Sequence, residues 1–207
     1  MGQILPRSFY DRETETVARE MLGAILECTT PEGTASGIIV ETEAYVGEHD
    51  PACHAAVGRT RRTEPLYGKP GISYVYFIYG VHWCFNAVTR SEGLPSAVLV
   101  RAIQPVHGED LMQLRRGGRI SRINLTNGPG KLCAALGIDG TLNGLSLQRR
   151  PVVIREGEPV DDDLVRVTPR IGITKAAEWP LRYVIEGNAW VSGSRARQTP
   201  GPRRSAG

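Results

Sequence analysis

The sequence has no apolar run approaching the ~18 residues that would suggest a membrane span. Its opening, MGQILPRSFYDRE, lacks a basic stretch followed by a long hydrophobic one, so no secretion signal is expected. Pro6 stands where a myristoylation motif needs a hydroxyl residue. Cysteine is sparse: Cys28, Cys53, Cys84 and Cys133 form no CxxC pair and read as four reduced thiols rather than a disulfide framework. Lysine is sparser still, with only Lys69, Lys131 and Lys175 among 25 basic residues. There is no internal repeat, and no Pro- or Ser-rich linker precedes the C-terminal segment. These absences argue for a globular, non-secreted chain with no membrane partner. It is expected in the cytoplasm with the nucleoid if bacterial, or in the nucleus if eukaryotic.

What is present suits one sizeable core. The chain has 207 residues, 41% of them hydrophobic, enough to bury roughly 70% of its unfolded surface. The net charge of +3 is unevenly spread. Residues 112–131 carry Arg115, Arg116, Arg119, Arg122 and Lys131 with no acid, and Arg59, Arg61, Arg62 and Lys69 are opposed only by Glu64. Such clusters fit either a side that faces a polyanion or a solvated surface.

Local patterns give the elements. Residues 14–22, TETVAREML, read as a short helix with Thr14 as N-cap, Val17 and Met21 on one face, and Gly23 as stop. AILECT and GIIVETEAYV read as strands linked near Gly33 and Gly37. Residues 48–72 form a long Pro- and Gly-rich loop, of the kind that is usually functional or mobile. SYVYFIYG, WCFNAVT and SAVLVRAIQ read as strands, HGEDLMQLRR and GPGKLCAAL as helices, the second with Pro129 in its first turn. Residues 151–191 return to strands and loops. The expected architecture is α+β: a single domain over residues 1–194 with a mainly antiparallel, curved sheet and flanking helices. A basic disordered tail is expected over residues 195–207.

Within GIIVETEAYV, strict alternation puts Ile38, Val40, Thr42 and Ala44 on one face and Ile39, Glu41, Glu43 and Tyr45 on the other. An edge strand with one wet face would explain the two glutamates. So would a general base on a rigid strand beside an aromatic. Cα atoms about 6.6 Å apart at strand rise also permit an O-glycoside hydrolase built on Glu41 and Glu43. His49, Cys53, His54, His82 and Cys84 lack the spacing of a zinc site, so no metal and no cofactor are expected. The run YVYFIYG holds three of the chain's 7 tyrosines. They are either core filler or flat plates offered to another flat molecule.

VETEAYVGEHDPACHA, GISYVYFIYGVHWCFN, AVLVRA, NGPGKLCAALGI and RIGI with EWPLRY follow one another between residues 8 and 192. Together they resemble the alkyladenine (3-methyladenine) DNA glycosylase family, the type shared by mammals and many bacteria. The resemblance implies a monofunctional DNA repair enzyme that flips a damaged purine from duplex DNA and hydrolyses its bond to deoxyribose. It implies Glu43 as the base that activates water, with Arg101 and the Ile171 carbonyl helping to hold that water. Tyr45, His54 and Tyr76 would stack the flipped base, Leu99 would line the pocket, and Asn86 would crowd the two-amino group of guanine. Tyr79 would wedge into the duplex, while Tyr74 and Phe77 are left to the core. Arg59, Arg61 and Lys131 are expected on the DNA backbone. Many alkylated purines are cationic, and a cation is held well between electron-rich rings. None of the three lysines sits in a block used for Schiff-base chemistry, so no strand-cleaving lyase step is expected. The expected partner is double-stranded DNA holding a damaged purine, and the expected state is a monomer. A non-catalytic nucleic-acid-binding module stands as a further alternative.

Overall fold

Eight strands form one antiparallel sheet in a computed structural model that describes residues 2–193. The tail expected at 195–207 lies outside the described residues. The strands are β1 (Ile25–Thr30), β2 (Gly33–Tyr45), β3 (Ser73–Ile78), β4 (His82–Val88), β5 (Ala97–His107), β6 (Val152–Arg155), β7 (Val165–Thr168) and β8 (Arg182–Ile185). They run in the order β3-β4-β5-β2-β1-β6, and β7 joins through β8, which pairs with β2. Four helices accompany them: α1 (Arg7–Tyr10), α2 (Thr14–Glu20), α3 (Glu109–Arg115) and α4 (Pro129–Leu136). The α+β expectation therefore holds.

The helices bury their apolar faces on one side of the sheet. Val17 and Met21 of the α2 region, Met112 of α3 and Leu132 and Leu136 of α4 pack with Ile39, Phe85, Val100 and Ile103. Thr14 does not cap α2 as expected. It is the first helical residue, fully buried, and its Oγ1 lies 2.9 Å from Thr89 Oγ1. A hydroxyl satisfied by Thr89, just past the end of β4, is no longer available to the helix end. Pro129 opens α4, and Gly137 ends it in the left-handed region (φ 73°). Residues 48–72 lie outside the sheet, with two short 3-10 turns, His54–Val57 and Glu64–Tyr67.

The long β2 is central where its glutamates lie. Glu41, Thr42 and Glu43 pair with β5 on one side and with β8 on the other, so the edge-strand reading is overturned. Strict alternation also fails. The β2–β5 register shifts three times, once at Val106 near the end of β5 and twice beside the glutamates, where Val40 on β2 and Arg101 on β5 are skipped. Two facing bulges result, each turning neighbouring side chains to one side. Ile39 joins Ala44 on the helix side, and Thr42 Oγ1 donates to the Ala18 carbonyl of α2 at 2.8 Å. Val40 moves to the opposite side, in a small cluster with Ala102, Val184 and Val191.

Candidate active site

Register assembles the site from residues far apart in sequence. Tyr74 opposes Asn86, Asn86 opposes Leu99, Leu99 opposes Glu43, and Glu43 opposes Arg182. Directly opposed residues of antiparallel strands share a face, so one row across β3, β4, β5, β2 and β8 faces away from the helices. The rows on either side of it hold Tyr76 opposite Cys84 and, on the other flank, Tyr45 opposite Ala97. Over this face lies a cavity of about 580 Å³, lined among others by Tyr45, His54, Tyr74, Tyr76, Asn86, Leu99, Arg101, Lys131 and Ile171. That volume is typical of a small-molecule site.

Glu43 stands immediately behind this wall with no exposed surface. Its Oε2 accepts from the Tyr45 hydroxyl at 2.9 Å and from Arg101 Nη1 at 3.2 Å, and its Oε1 accepts from the Ile171 amide at 2.9 Å. All three donors come from residues lining the cavity. Three of the carboxylate's roughly four acceptor directions are thus filled. The Ile171 carbonyl lies 3.5 Å from Arg101 Nη1. Burial alone would lower the Arg101 pKa, but the charges of Glu43 and Glu41 outweigh it and hold the guanidinium above its ordinary value.

Glu41 is differently placed. Its Oε1 accepts from Arg101 Nε at 3.0 Å, Arg182 Nε at 2.7 Å and Ser192 Oγ at 2.8 Å, and its Oε2 accepts from the Ser192 amide at 2.6 Å. Like Glu43 it is fully buried behind the wall, but of its donor residues only Arg101 lines the cavity. A two-carboxylate site needs both acids beside one bond, and Glu41 is committed to holding Arg101 and Arg182.

Rings form the far wall. His54 and Tyr76 meet at 4.5 Å between centroids, and Tyr74 lies 5.3 Å from Tyr76. Tyr74 was expected in the core. It is there, buried in a cluster with Leu66, Tyr67 and Val88, and it also lines the cavity, where its hydroxyl lies 2.8 Å from His54 Nδ1. Burial, helped by the nearby Arg62 charge, pulls the His54 pKa down to about 4, so the imidazole is neutral near pH 7. Burial pushes the Tyr45 and Tyr76 phenols up, out of reach of physiological titration. Asn86 is fixed by its Nδ2 donating to the Tyr74 carbonyl at 2.9 Å.

Phe77, by contrast, departs from expectation. It is 45% exposed rather than core, resting on Trp83 at 4.7 Å. Its side chain belongs to the β3–β4 hairpin tip, where Tyr79 (79%) and Val81 (65%) are exposed as well. The tip turns through Tyr79 (φ 54°) and Gly80 (φ 69°), both in the left-handed region. Such a turn suits the twist of a hairpin, but it is uncommon for a tyrosine.

The basic residues are less uniform than expected. Arg61 is exposed. Arg59 is engaged by Glu64 at 2.6 Å and lies over the Tyr67 ring. Lys131 is fastened to Asn127 Oδ1 at 2.7 Å, and partial burial with the nearby Arg116 charge lowers its pKa. Arg62, not singled out as a site residue, sits 5.5 Å above the Tyr76 ring. Sequence reading also missed Arg170, whose side chain forms a fully buried bidentate pair with Asp50 at 2.5 and 2.8 Å. The pair joins residues separated by 120 positions. No local pattern marks it. Among the described residues, no group of three or more His, Cys, Asp or Glu could hold a metal ion, and no helix is long and apolar enough to cross a membrane.

A ring-walled cavity with a buried carboxylate behind it, set on an antiparallel sheet and rimmed by cations, defines a candidate site for a flat base. The sequence model of the methylpurine-DNA glycosylase family matches residues 8–189. The chain belongs to that family. Proteins provisionally named 3-methyladenine DNA glycosylases are similar over nearly their whole lengths. One from Methanoculleus marisnigri is 48% identical over 91% of this chain and 98% of its own. One from Salinibacter ruber is 47% identical over 91% and 96%. One from Myxococcus xanthus is 45% identical over 98% of each.

Proposed function

We propose that this chain flips alkylated or deaminated purines out of duplex DNA and hydrolyses their N-glycosidic bond with a water activated by Glu43. The observation that carries this reading is the row Tyr74–Asn86–Leu99–Glu43, which sets a carboxylate against a cavity walled by rings. The Glu43 carboxylate keeps one acceptor direction after its three hydrogen bonds. A water donating into it takes orientation from Arg101 and from the Ile171 carbonyl beside it. As the bond to the purine breaks, the sugar gains oxocarbenium character. The carboxylate then takes the proton of the attacking water and stabilises the positive charge.

Tyr45, His54 and Tyr76 stack the extruded base, each stacking contact contributing on the order of 1–3 kcal/mol. Opening the pair costs a few kcal/mol, and Tyr79 at the exposed hairpin tip offsets part of that by filling the gap. Asn86 crowds a guanine two-amino group. The reaction is hydrolysis only: Lys131 lines the cavity, but its Nζ is held by Asn127. Incubation with duplexes carrying one hypoxanthine, ethenoadenine or methylated purine is expected to give free base and an intact abasic strand, with no borohydride-trapped adduct. Cleavage of simple O-glycosides, or binding without turnover on any lesion, would contradict the reading.

A further inference from the structure

The fully buried Arg170–Asp50 pair lies outside the cavity wall, yet it touches three parts of the site. Arg170 Nη1 donates to the Ala44 carbonyl at 3.0 Å, between Glu43 and Tyr45 in sequence. The next residue, Ile171, gives its amide to Glu43 at 2.9 Å. The guanidinium carbon lies 4.7 Å from the centroid of the Tyr45 ring, over its face. Asp50 is also tied down, accepting from the amides of Val46 and Ala52. Arg170 Nε is buried without a hydrogen-bond partner. The Nη groups of Arg170 are spent on Asp50 and the Ala44 carbonyl, and the face of the guanidinium meets the Tyr45 ring.

Tyr45 lines the cavity, whereas the buried Arg170 does not, so the cation sits behind the ring. The two faces of an aromatic ring share one electron system. A cation on the back face draws on the same negative quadrupole that would hold a cationic base on the front. We propose that Arg170, pinned by Asp50, is a positioning and specificity-determining residue: it sets Ile171 against Glu43 and weakens the preference of the Tyr45 wall for cationic over neutral purines. The inference rests on the glycosylase reading above.

The test is single-turnover base release by the full chain from duplexes carrying one 7-methylguanine, a cation, or one hypoxanthine, a neutral base. Each variant's rate ratio, 7-methylguanine over hypoxanthine, is normalised to the parent. Arg170→Met should slow both reactions yet raise the ratio about threefold or more. Arg170→Lys, which keeps the cation, should hold the ratio near the parent. Asp50→Asn, which leaves the cation uncompensated, should lower it. Because breaking a buried pair can unfold a protein, melting is followed throughout. The double variant Arg170→Met/Asp50→Leu, which buries no charge, should raise the ratio as well. Equal losses on both lesions in Arg170→Met and in the double variant would overturn the proposal and leave the pair a structural clamp. Release of neither base by the parent would instead overturn the glycosylase reading on which it stands.

Discussion

At the scale of single residues, the site separates groups that change charge from groups held fixed. His54 is the clearest case. Its folded pKa of about 4 lies below the 6.5 of an unperturbed histidine. Between those values the unfolded chain takes up a proton that the fold refuses. This residue therefore contributes stability above pH 6.5 that is lost as the pH falls toward 4. Its imidazole signals in an NMR titration should move near pH 4, and a midpoint near 6.5 would mean the ring is not desolvated as described. Asn86 gives a second expectation. Asn86→Ala removes the side chain that Tyr74 anchors. It should raise release of undamaged guanine from a G·C pair about tenfold, read by assaying free guanine, and an unchanged level would remove Asn86 from purine discrimination. That Tyr45, His54, Tyr76, Asn86, Leu99, Arg101 and Ile171 belong to one site was legible from the ordered sequence blocks, and all of them line one cavity. Tyr74, Arg62, Arg170 and Asp50 were not legible there, because their importance lies in partners brought together only by the fold.

At the scale of elements, the β3–β4 hairpin and the paired bulges do the most. The hairpin offers Tyr79 at 79% exposure on a turn with nothing packed against Gly80. Removing an exposed ring costs the fold little. Tyr79→Ala should melt near the parent but bind lesion duplex about tenfold more weakly, in keeping with about 1–3 kcal/mol for a stacking ring. Fluorescence titration at fixed salt would check this, and unchanged affinity would argue against a wedge. The bulges explain why alternation along β2 was only half readable. Period-two reasoning assumes one residue opposite one residue, and at Val40 and Arg101 that assumption breaks. From Thr42 to Tyr45 it holds, and the placement of Glu43 and Tyr45 on one face was correct.

At the scale of the whole molecule, the α+β class, the antiparallel pairing and the family were legible before any coordinates, while the strand order was not. Sequence alternation marks strands, but only long-range pairing puts β2 between β5 and β8 and gives Glu41 its four donors. Glu41 then ties β2 to β5, β8 and the Ser192 segment. Glu41→Ala leaves Arg101 and Arg182 without that carboxylate, and it should destabilise the fold by about 3–5 kcal/mol, measurable by denaturant titration. Glu43 sits in the same strand but next to the cavity, and its proposed role is chemical. The most direct measurement is therefore single-turnover release of hypoxanthine from duplex DNA by Glu43→Gln, with folding verified by melting. A folded variant slowed by about 10²–10⁴-fold is the expected result, and a folded variant releasing base at the parent rate would contradict Glu43 as the activating group.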